Sequence, residues 1–539
     1  MDSRTLNGDQ AFAFGALNSG VKLVTSYPGS PSSGTVESLI ELAKHRDFYV
    51  EWSSNEKVSM EMGIGASIAG RRALVCAKSV GLNAMIDPLM ALNLTPVHGG
   101  LVILLGDDPG GYGSQNDQDS RPLASFLEIP MLEPANPSEG YLMMREAFSV
   151  SELYNTPLII RHTRSFTLQK EPVQIHKKDY PDINYGFIKE PFRFVPVPKN
   201  AVEKHRDLHR RIKNFGKWSE NTPFNRSSGS GKTGIIGAGF AYQKLMDVFG
   251  NTTPKELRLL KLGVLYPLPE NIIADFLREC RKVLIVEENE PYLEIQIKAI
   301  AHDIGCSTKI LGKQGSHIHR EGELFRWQIQ EALLNFLPEL KLMNKYSKDD
   351  EEHERPEKEN FCAGCGYDDI FDRLEAAAES LGQKPVFVGD PGCLVTIADR
   401  LDAKYAMGSA VAVADGLHRT GIDNKVIALF GDSSFYHSSI PAICNAVHNR
   451  SPIMMVVLDN AATAASGFQP HPGVGRDAMG QKAPSSDIEQ IARACGVKHV
   501  YTTRPKYSSK DLDNKFKQAL ACKELSLVIV QIKSKKREK

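Results

Sequence analysis

The sequence lacks the features that mark exported, membrane and nucleic-acid-binding proteins. Residues 1–14 have neither the basic head nor the apolar core of a signal peptide, and no apolar run reaches the ~18–20 residues that span a bilayer. Basic and acidic residues both number 65, so the formal net charge of zero favours neither nucleic acid nor an anionic membrane as a partner. Nine cysteines, an odd number, are typical of a reducing compartment rather than a disulfide framework. We therefore expect a cytoplasmic protein.

What the sequence does contain is a repeated alternation of apolar strand-like runs and amphipathic helical stretches. Its 539 residues are enough for three to four domains of ordinary size. Because the strand-like runs are apolar almost throughout, they indicate parallel sheets covered on both faces, so the predicted fold is α/β and doubly wound. The predicted division is an α/β domain over 1–190, a linker over 191–232, a second α/β domain over 233–343, a charged linker over 344–359 and a third α/β domain over 360–535.

Two polar runs in the last predicted domain follow neighbouring strand-like runs. Residues 431–433, Gly-Asp-Ser, follow the apolar run 425–430, and the pair Asp-Asn at 459–460 follows the apolar run 452–458. The carboxyl ends of parallel strands meet at one edge of a sheet, which is where ligands of such folds bind. The alternative interpretation is two ordinary strand ends with turn residues.

This pair of runs offers oxygen ligands for a hard cation. Mg²⁺ prefers carboxylate and amide oxygens in octahedral geometry, and Asp432, Asn460 and a main-chain carbonyl near Ala462 supply three. The pattern resembles the thiamine diphosphate motif, in which Mg²⁺ offsets the diphosphate charge. It departs from that motif because Ser433 replaces the second glycine and Asp459 replaces the first asparagine.

The first predicted domain contains four candidate residues for such a site. Ser30 lies in a turn rich in small hydroxyl residues after a strand-like run, and is a candidate for contact with substrate. Glu56 begins a helical stretch rich in glycine and alanine, and could supply the carboxyl that hydrogen-bonds the aminopyrimidine of thiamine. Asn83 and Arg121 lie in loops after later strands, where an arginine could hold a substrate carboxylate. Helix caps and surface loops are the alternatives.

Three cysteines lie close together in the sequence of the last domain. Cys362 and Cys365 form a Cys-x-x-Cys pair, and Cys393 follows a glycine further along. The pattern is compatible with a zinc site, a redox dithiol or iron–sulfur ligands, as well as with free thiols.

Together these segments resemble the large subunits of the indolepyruvate:ferredoxin oxidoreductase family, which are thiamine-dependent. The resemblance extends from Asn7 to about Lys533 and is carried by ordered blocks rather than by any one motif. The blocks are YPGSPSS (27–33), EWSSNEK (51–57), KSVGLN (78–83), GDDPGGYGSQNDQDSR (106–121), YPLPE (266–270), CAGCG (362–366), GDPGC (389–393), MGSAVAVADGL (407–417), GDSSFYHSSI (431–440) and LDNAATAASGFQPHPG (458–473).

The resemblance implies a role for each candidate residue. The three α/β domains become a pyrimidine-binding, a transketolase C-terminal-like and a pyrophosphate-binding domain. Glu56 becomes the aminopyrimidine glutamate, and Asp432, Asn460 and the carbonyl of Ala462 become the Mg²⁺ ligands. The residues implied to line the diphosphate and thiazolium are Cys393, Met407, Gly408, Ser409, Gly431 and Ser433.

The resemblance also implies a reaction and partners. The family decarboxylates a 2-oxoacid, here an aryl pyruvate first, to an enamine that is oxidised and passed to coenzyme A with a small γ-like subunit, in a homodimer or heterotetramer. Two alternatives are a non-redox thiamine-dependent decarboxylase or carboligase, and a structural subunit without activity.

The sequence departs from the family where electrons would leave. We expect no ferredoxin-like domain with cysteine-rich cluster motifs after the last predicted strand. Tyr367 stands where the family has histidine, and Ser534 stands where a fourth cluster cysteine is expected. We therefore expect no iron–sulfur cluster with four cysteine ligands from the usual positions, since a stable cubane needs four thiolates.

Overall fold

The computed structural model describes residues 2–44, 47–176, 185–355, 366–503 and 509–532. The chain forms two compact units, one of residues 1–50 and 56–358 and the other of residues 51–55 and 359–539. None of the helices in the described ranges is both long and apolar enough to cross a membrane.

Residues 2–176 alternate strands and helices, as predicted. The capping box of Asn7 and Gln10 begins the first helix. The strands are β1 (Asp2–Asn7), β2 (Leu23–Ser26), β3 (Tyr49–Trp52), β4 (Ala73–Lys78), β5 (Leu101–Asp107), β6 (Met131–Leu132), β7 (Leu158–Thr163) and β8 (Lys170–Ile175). The helices are α1 (Gly8–Asn18), α2 (Ser33–Ala43), α3 (Glu56–Ile68), α4 (Ser79–Asn93), α5 (Arg121–Leu127), α6 (Pro137–Tyr154) and α7 (Arg164–Leu168).

Residues 185–355 continue the first unit with a second set of elements. The strands are β9 (Arg226–Gly229), β10 (Thr233–Ala238), β11 (Leu257–Leu262), β12 (Val264–Tyr266), β13 (Lys282–Val286) and β14 (Lys309–Leu311). The helices are α8 (Pro191–Phe194), α9 (Ala201–Ser219), α10 (Gly239–Val248), α11 (Glu270–Glu279), α12 (Tyr292–Asp303), α13 (Arg326–Phe336) and α14 (Glu351–Glu354).

The first unit holds two large sheets. A seven-stranded sheet has the order β12-β6-β7-β5-β4-β2-β3, and a five-stranded sheet has the order β14-β13-β10-β11-β9. One edge strand of each sheet, β12 in the first and β9 in the second, is antiparallel to its neighbour. β5 and β7 are buried along their whole length, because helices cover both faces. The strand orders confirm the predicted α/β class.

The two sheets share one apolar core instead of forming separate bodies. Ile103 and Ile159 of the first sheet belong to the same buried cluster as Ile236 and Leu260 of the second. In addition β12, which follows β11 directly, pairs with β6 of the first sheet. The boundaries expected from the sequence therefore do not separate two independent cores.

The segment 191–232, expected to be a linker, differs from that expectation. Its residues 201–219 form the helix α9, and residues 226–229 form β9. The side chains of Leu208 and Phe215 on α9 are buried against the rest of the first unit. In the charged segment 344–359, the helix α14 is likewise tied to the first unit. Most residues of α9 are polar, which concealed its narrow apolar face.

The second unit contains one six-stranded sheet, all parallel, with the order β16-β15-β17-β18-β20-β19. Its strands are β15 (Val386–Gly389), β16 (Ala403–Lys404), β17 (Val426–Gly431), β18 (Met454–Asp459), β19 (His499–Thr502) and β20 (Ser526–Gln531). Its helices are α15 (Tyr367–Glu379), α16 (Ala410–Arg419), α17 (Asp432–Ser434), α18 (Ile440–His448), α19 (Ile488–Ala494) and α20 (Ser509–Ala521). A π-helical turn, Phe435–Ser439, joins α17 to α18.

Candidate functional site

The two polar runs predicted from the sequence meet at one edge of the six-stranded sheet. β17 and β18 are parallel neighbours, with Gly431 opposite Leu458 in register. Asp432 therefore begins the helix after β17 beside the loop that follows β18. Parallel pairing thus gives the two runs the adjacency that the sequence predicted.

The three residues predicted to hold Mg²⁺ are joined at one backbone amide. The N–H of Ala462 lies 3.3 Å from Oδ2 of Asp432 and 3.1 Å from Oδ1 of Asn460, and can donate to both. All three residues are buried, with exposed fractions of 2% for Asp432 and 8% for Asn460. Ala461 adopts a left-handed backbone conformation, φ 54°, which turns the chain back toward Asp432.

Asp459 adds a second carboxyl beside Asp432. Burial, followed by the neighbouring charge of Asp432, raises the pKa of Asp459 to about 6. Its Oδ1 accepts the N–H of Ala461 at 3.1 Å. Two carboxyls held this close repel when both are ionised, so the site favours a cation.

His471 is a member of this group that the sequence did not predict. Its Nε2 lies 3.0 Å from Oδ2 of Asp432, and its Nδ1 accepts the N–H of Gly473 at 3.1 Å. Since Nδ1 accepts, the ring proton lies on Nε2 and is donated to Asp432. The ring stacks on Tyr436, whose hydroxyl donates to the carbonyl of Ser486 at 2.6 Å.

Asp390, at the end of β15, is a second residue that the sequence analysis missed. Its Oδ2 accepts the N–H of Gly408 and its Oδ1 the N–H of Ala410, both at 2.8 Å. Burial raises the pKa of Asp390 to about 6. Gly408 has φ 80°, and an added Cβ there would lie 2.5 Å from the Cβ of Ser438, so only glycine fits. Asp390 thus fixes the predicted run 407–409.

The remaining predicted residues of the second unit lie at the same strand ends. Cys393 follows β15 and its Sγ lies 3.9 Å from Nδ2 of Asn460, which also donates to the hydroxyl of Tyr367 at 3.2 Å. Ser433 is the second residue of α17, and its N–H donates to Oδ1 of Asp432 at 2.9 Å. Cys362, Cys365 and Ser534 lie outside the described residues.

In the first unit, Glu56 begins α3 and only 7% of it is exposed. Its side chain packs on Gly81 of α4, where an added Cβ would lie 2.8 Å from Oε1 of Glu56. A carboxylate at a helix N-terminus has a favourable interaction with the helix dipole. Ser30, in the turn between β2 and α2, is half-buried.

The structure corrects the prediction that Arg121 binds a substrate carboxylate. Arg121 is 1% exposed, and its Nε, Nη1 and Nη2 groups all donate within the protein, to Asp119, to Glu287 and to two main-chain carbonyls. Asp119 precedes α5 and Glu287 follows β13, so the ion pairs of Arg121 connect two segments inside the first unit. Asn83 is exposed and exchanges hydrogen bonds with the side chain of Gln118.

The donor set of the second unit fits a magnesium diphosphate. Carboxylate and amide oxygens converge at Asp432 and Asn460, the donors that Mg²⁺ prefers. A Cβ added at Gly431 or at Gly392 would meet no atom of the described residues within 4 Å, so this part of the chain leaves space beside both strand ends.

Comparisons with known proteins identify thiamine diphosphate-binding domains in this chain. The profile described as "Pyruvate flavodoxin/ferredoxin oxidoreductase, thiamine diP-bdg" matches residues 14–219, and that described as "Thiamine pyrophosphate enzyme, C-terminal TPP binding domain" matches residues 402–530. Both ends of the chain therefore carry thiamine diphosphate-binding domains.

Two relatives match almost the whole chain. The indolepyruvate oxidoreductase subunit IorA of Methanothermobacter marburgensis is 34% identical over 515 residues, which span 94% of this chain and 82% of the relative. The IorA subunit of Pyrococcus abyssi is 34% identical over 560 residues, which span 98% and 85%. A solved 2-oxoglutarate:ferredoxin oxidoreductase from Magnetococcus marinus, with 2-oxoglutarate, coenzyme A and succinyl-CoA bound, is more distant, at 15% identity and a TM-score of 0.49 over 63% of this chain and 65% of that one.

Proposed function

Because the chain belongs to the family of IorA subunits of indolepyruvate oxidoreductase, we propose that it binds thiamine diphosphate through Mg²⁺ and decarboxylates an aryl 2-oxoacid. The family is that of thiamine diphosphate-dependent 2-oxoacid:ferredoxin oxidoreductases. The observation that carries the proposal is the meeting of Asp432 and Asn460 at the N–H of Ala462.

In this proposal the second unit holds the diphosphate end of the cofactor. Asp432 and Asn460 give Mg²⁺ two side-chain oxygens, and the carbonyl of Ala462 gives a third. His471 holds Oδ2 of Asp432, while Asp390 fixes the run 407–409 that lines the diphosphate. Gly431, Ser433 and Cys393 line the rest of this end.

Glu56 is proposed to serve the aminopyrimidine end. When bound, thiamine diphosphate supplies an electron sink for cleavage of the carboxyl–carbonyl bond of a 2-oxoacid. A carboxyl hydrogen-bonded to the aminopyrimidine ring drives the proton transfer that activates the cofactor. Glu56 suits this role because it is buried and held against Gly81. Ser30 and Asn83 are proposed to contact substrate.

The subunit name of the relatives supports a partner for the second half of the reaction. We propose that a small γ-like subunit joins this chain, that the assembly is a homodimer or heterotetramer, and that coenzyme A accepts the acyl group. The resemblance to the family makes coenzyme A the first acceptor to test.

The test separates binding from chemistry with two variants. Glu56→Gln keeps the shape of the side chain but removes the carboxyl. We therefore expect thiamine diphosphate to bind with similar affinity, while the activation barrier for release of CO₂ from an aryl pyruvate rises by about 2–5 kcal/mol. Glu61→Gln on the same helix, where the carboxylate is half exposed, is the matched control and should keep full activity. Full activity of Glu56→Gln would remove Glu56 from the proposal.

A non-redox decarboxylase or carboligase is the second candidate function. It is favoured by Ser534 at the expected place of a fourth cluster cysteine. Iron and labile sulfide are measured in protein purified without oxygen. We expect neither, and an aldehyde product in the absence of an electron acceptor would favour the non-redox reaction. About four irons per chain would contradict the expected loss of the cluster.

A further inference from the structure

Three side chains with metal-binding atoms converge on the surface of the first unit. Nε2 of His205 lies 2.7 Å from Oε2 of Glu128, and Nε2 of His209 lies 2.9 Å from Oε1 of the same carboxylate. One ligand atom from each of the three side chains lies within 4.8 Å of the other two. None of the three was assigned to thiamine diphosphate or to substrate.

The backbone of two helices holds these side chains in place. His205 and His209 lie four residues apart on α9, so both rings project from the same face, with their centroids 4.3 Å apart. Glu128 follows the last turn of α5, and its N–H lies within hydrogen-bonding range of the carbonyls of Ala124 and Ser125. The cluster therefore joins two elements that are far apart in the sequence.

We propose that Glu128, His205 and His209 bind a divalent first-row transition ion, and that Zn²⁺ is the preferred occupant. Zn²⁺ takes imidazole nitrogen and carboxylate oxygen at about 2.0–2.2 Å, in tetrahedral sites of four ligands. Mg²⁺ prefers oxygen ligands and keeps several waters, so two imidazoles select against it. The site thus differs in chemistry from the proposed Mg²⁺ site of the second unit.

The exposure of the cluster leaves room for a fourth ligand. The side chains of His205 and His209 are 49% and 61% exposed, whereas that of Glu128 is 22% exposed. Three protein ligands and an open side describe a site completed by water. A bound ion would tie the end of α5 to α9, and so stabilise the packing of α9 on the first unit.

The competing explanation is that each imidazole donates a hydrogen bond to the carboxylate and that no ion binds. Such exposed pairs contribute little to stability. The chain offers a matched control, because Nε2 of His319 lies 3.3 Å from Oε2 of Glu331 on α13, and the side chain of His319 is 46% exposed, close to the value for His205. Among the described residues, no third histidine, cysteine or carboxylate completes a metal-binding group with that pair.

The experiment is a calorimetric titration of the full chain with Zn²⁺. The protein carries no histidine tag and is saturated with Mg²⁺ and thiamine diphosphate. We expect the double variant His205→Ala/His209→Ala to bind one Zn²⁺ fewer per chain than wild type. Glu128→Gln should lower the affinity for that Zn²⁺ by at least about 10–100-fold, which is the loss seen when groups that only support metal ligands are removed. His319→Ala should bind as wild type does. Zn²⁺ should raise the unfolding temperature of wild type and of the control more than that of the double variant.

Two results would overturn the proposal. One is wild-type protein that binds no Zn²⁺ under these conditions. The other is a double variant that keeps the same stoichiometry and affinity as wild type, because the ion would then be held elsewhere, for instance by thiols. Anomalous scattering at the zinc edge gives an independent measurement on wild type. It should place the ion about 2.0–2.2 Å from Oε1 or Oε2 of Glu128 and from Nε2 of His205 and His209.

Discussion

His471 donates a hydrogen bond from Nε2 to Oδ2 of Asp432 across 3.0 Å, and both side chains are buried. The bond to Gly473 fixes the tautomer of the imidazole, and the stack on Tyr436 fixes the plane of its ring. Oδ2 of Asp432 therefore accepts a hydrogen bond from an imidazole whose tautomer and ring plane are both fixed by neighbouring residues. A carboxylate oriented in this way is ready to bind a cation without a further loss of side-chain freedom.

Removal of His471 is expected to weaken cofactor binding without abolishing it. Groups that orient a metal ligand are worth about 10–100-fold in affinity, so His471→Ala should raise the Kd of thiamine diphosphate and Mg²⁺ by about that factor. Calorimetry measures it, with the exposed His448→Ala of the same unit as control. An unchanged Kd would show that Asp432 does not need this partner.

Asp390→Asn is expected to disturb the run 407–409. The carboxylate of Asp390 accepts hydrogen bonds from the backbone N–H groups of Gly408 and Ala410. The side-chain amide of asparagine has only one oxygen, so its NH₂ group would face one of these two donors. A buried donor without an acceptor costs about 1–3 kcal/mol. We expect lower affinity for thiamine diphosphate and a lower unfolding temperature, with the exposed Asp423→Asn as control. If neither changes, Asp390 does not position this run.

His162 of β7 is expected to make the first unit sensitive to acid. It is 1% exposed between Phe12 and Phe166, and burial lowers its pKa to about 4 from 6.5. The folded state therefore binds fewer protons than the unfolded state between these two pH values, so stability falls as pH decreases from about 6.5 to about 4. The loss is on the order of 3 kcal/mol.

The comparison is between wild type and His162→Leu, which has no titratable group at this position. Unfolding temperatures measured from pH 7 to pH 4 should fall more steeply for wild type, in addition to the loss from other groups that both proteins share. Parallel curves would mean that His162 titrates alike in the folded and unfolded states.

The sequence predicted the positions of site residues that directly follow a strand. Asp432 and Asn460 each follow an apolar run, and parallel pairing of β17 with β18 brings them together as expected. His471 and Asp390 were missed for a different reason. His471 reaches Asp432 from an irregular loop, and Asp390 acts on backbone N–H groups, so neither leaves a periodic pattern. The motif that ends in His471-Pro-Gly was nevertheless visible among the family blocks.

Burial explains two of the places where the structure differs from the expectations. Arg121 looked like a loop residue free for substrate, but it pairs with its neighbour Asp119 and with Glu287 from a distant segment. The segment 191–232 looked like a linker because its composition is polar. Its helix α9 nevertheless has Leu208, Phe215 and Ser219 buried at helical spacing, a signal that composition alone conceals.

A calorimetric titration shows whether Asp432 holds thiamine diphosphate through Mg²⁺. Wild type, Asp432→Ala and the exposed control Asp423→Ala are titrated with thiamine diphosphate, with Mg²⁺ and then with a chelator. We expect tight binding that requires Mg²⁺ in wild type and control, and no measurable binding to Asp432→Ala, because the variant removes the charged metal ligand. Binding of thiamine diphosphate and Mg²⁺ to Asp432→Ala with wild-type affinity would contradict it.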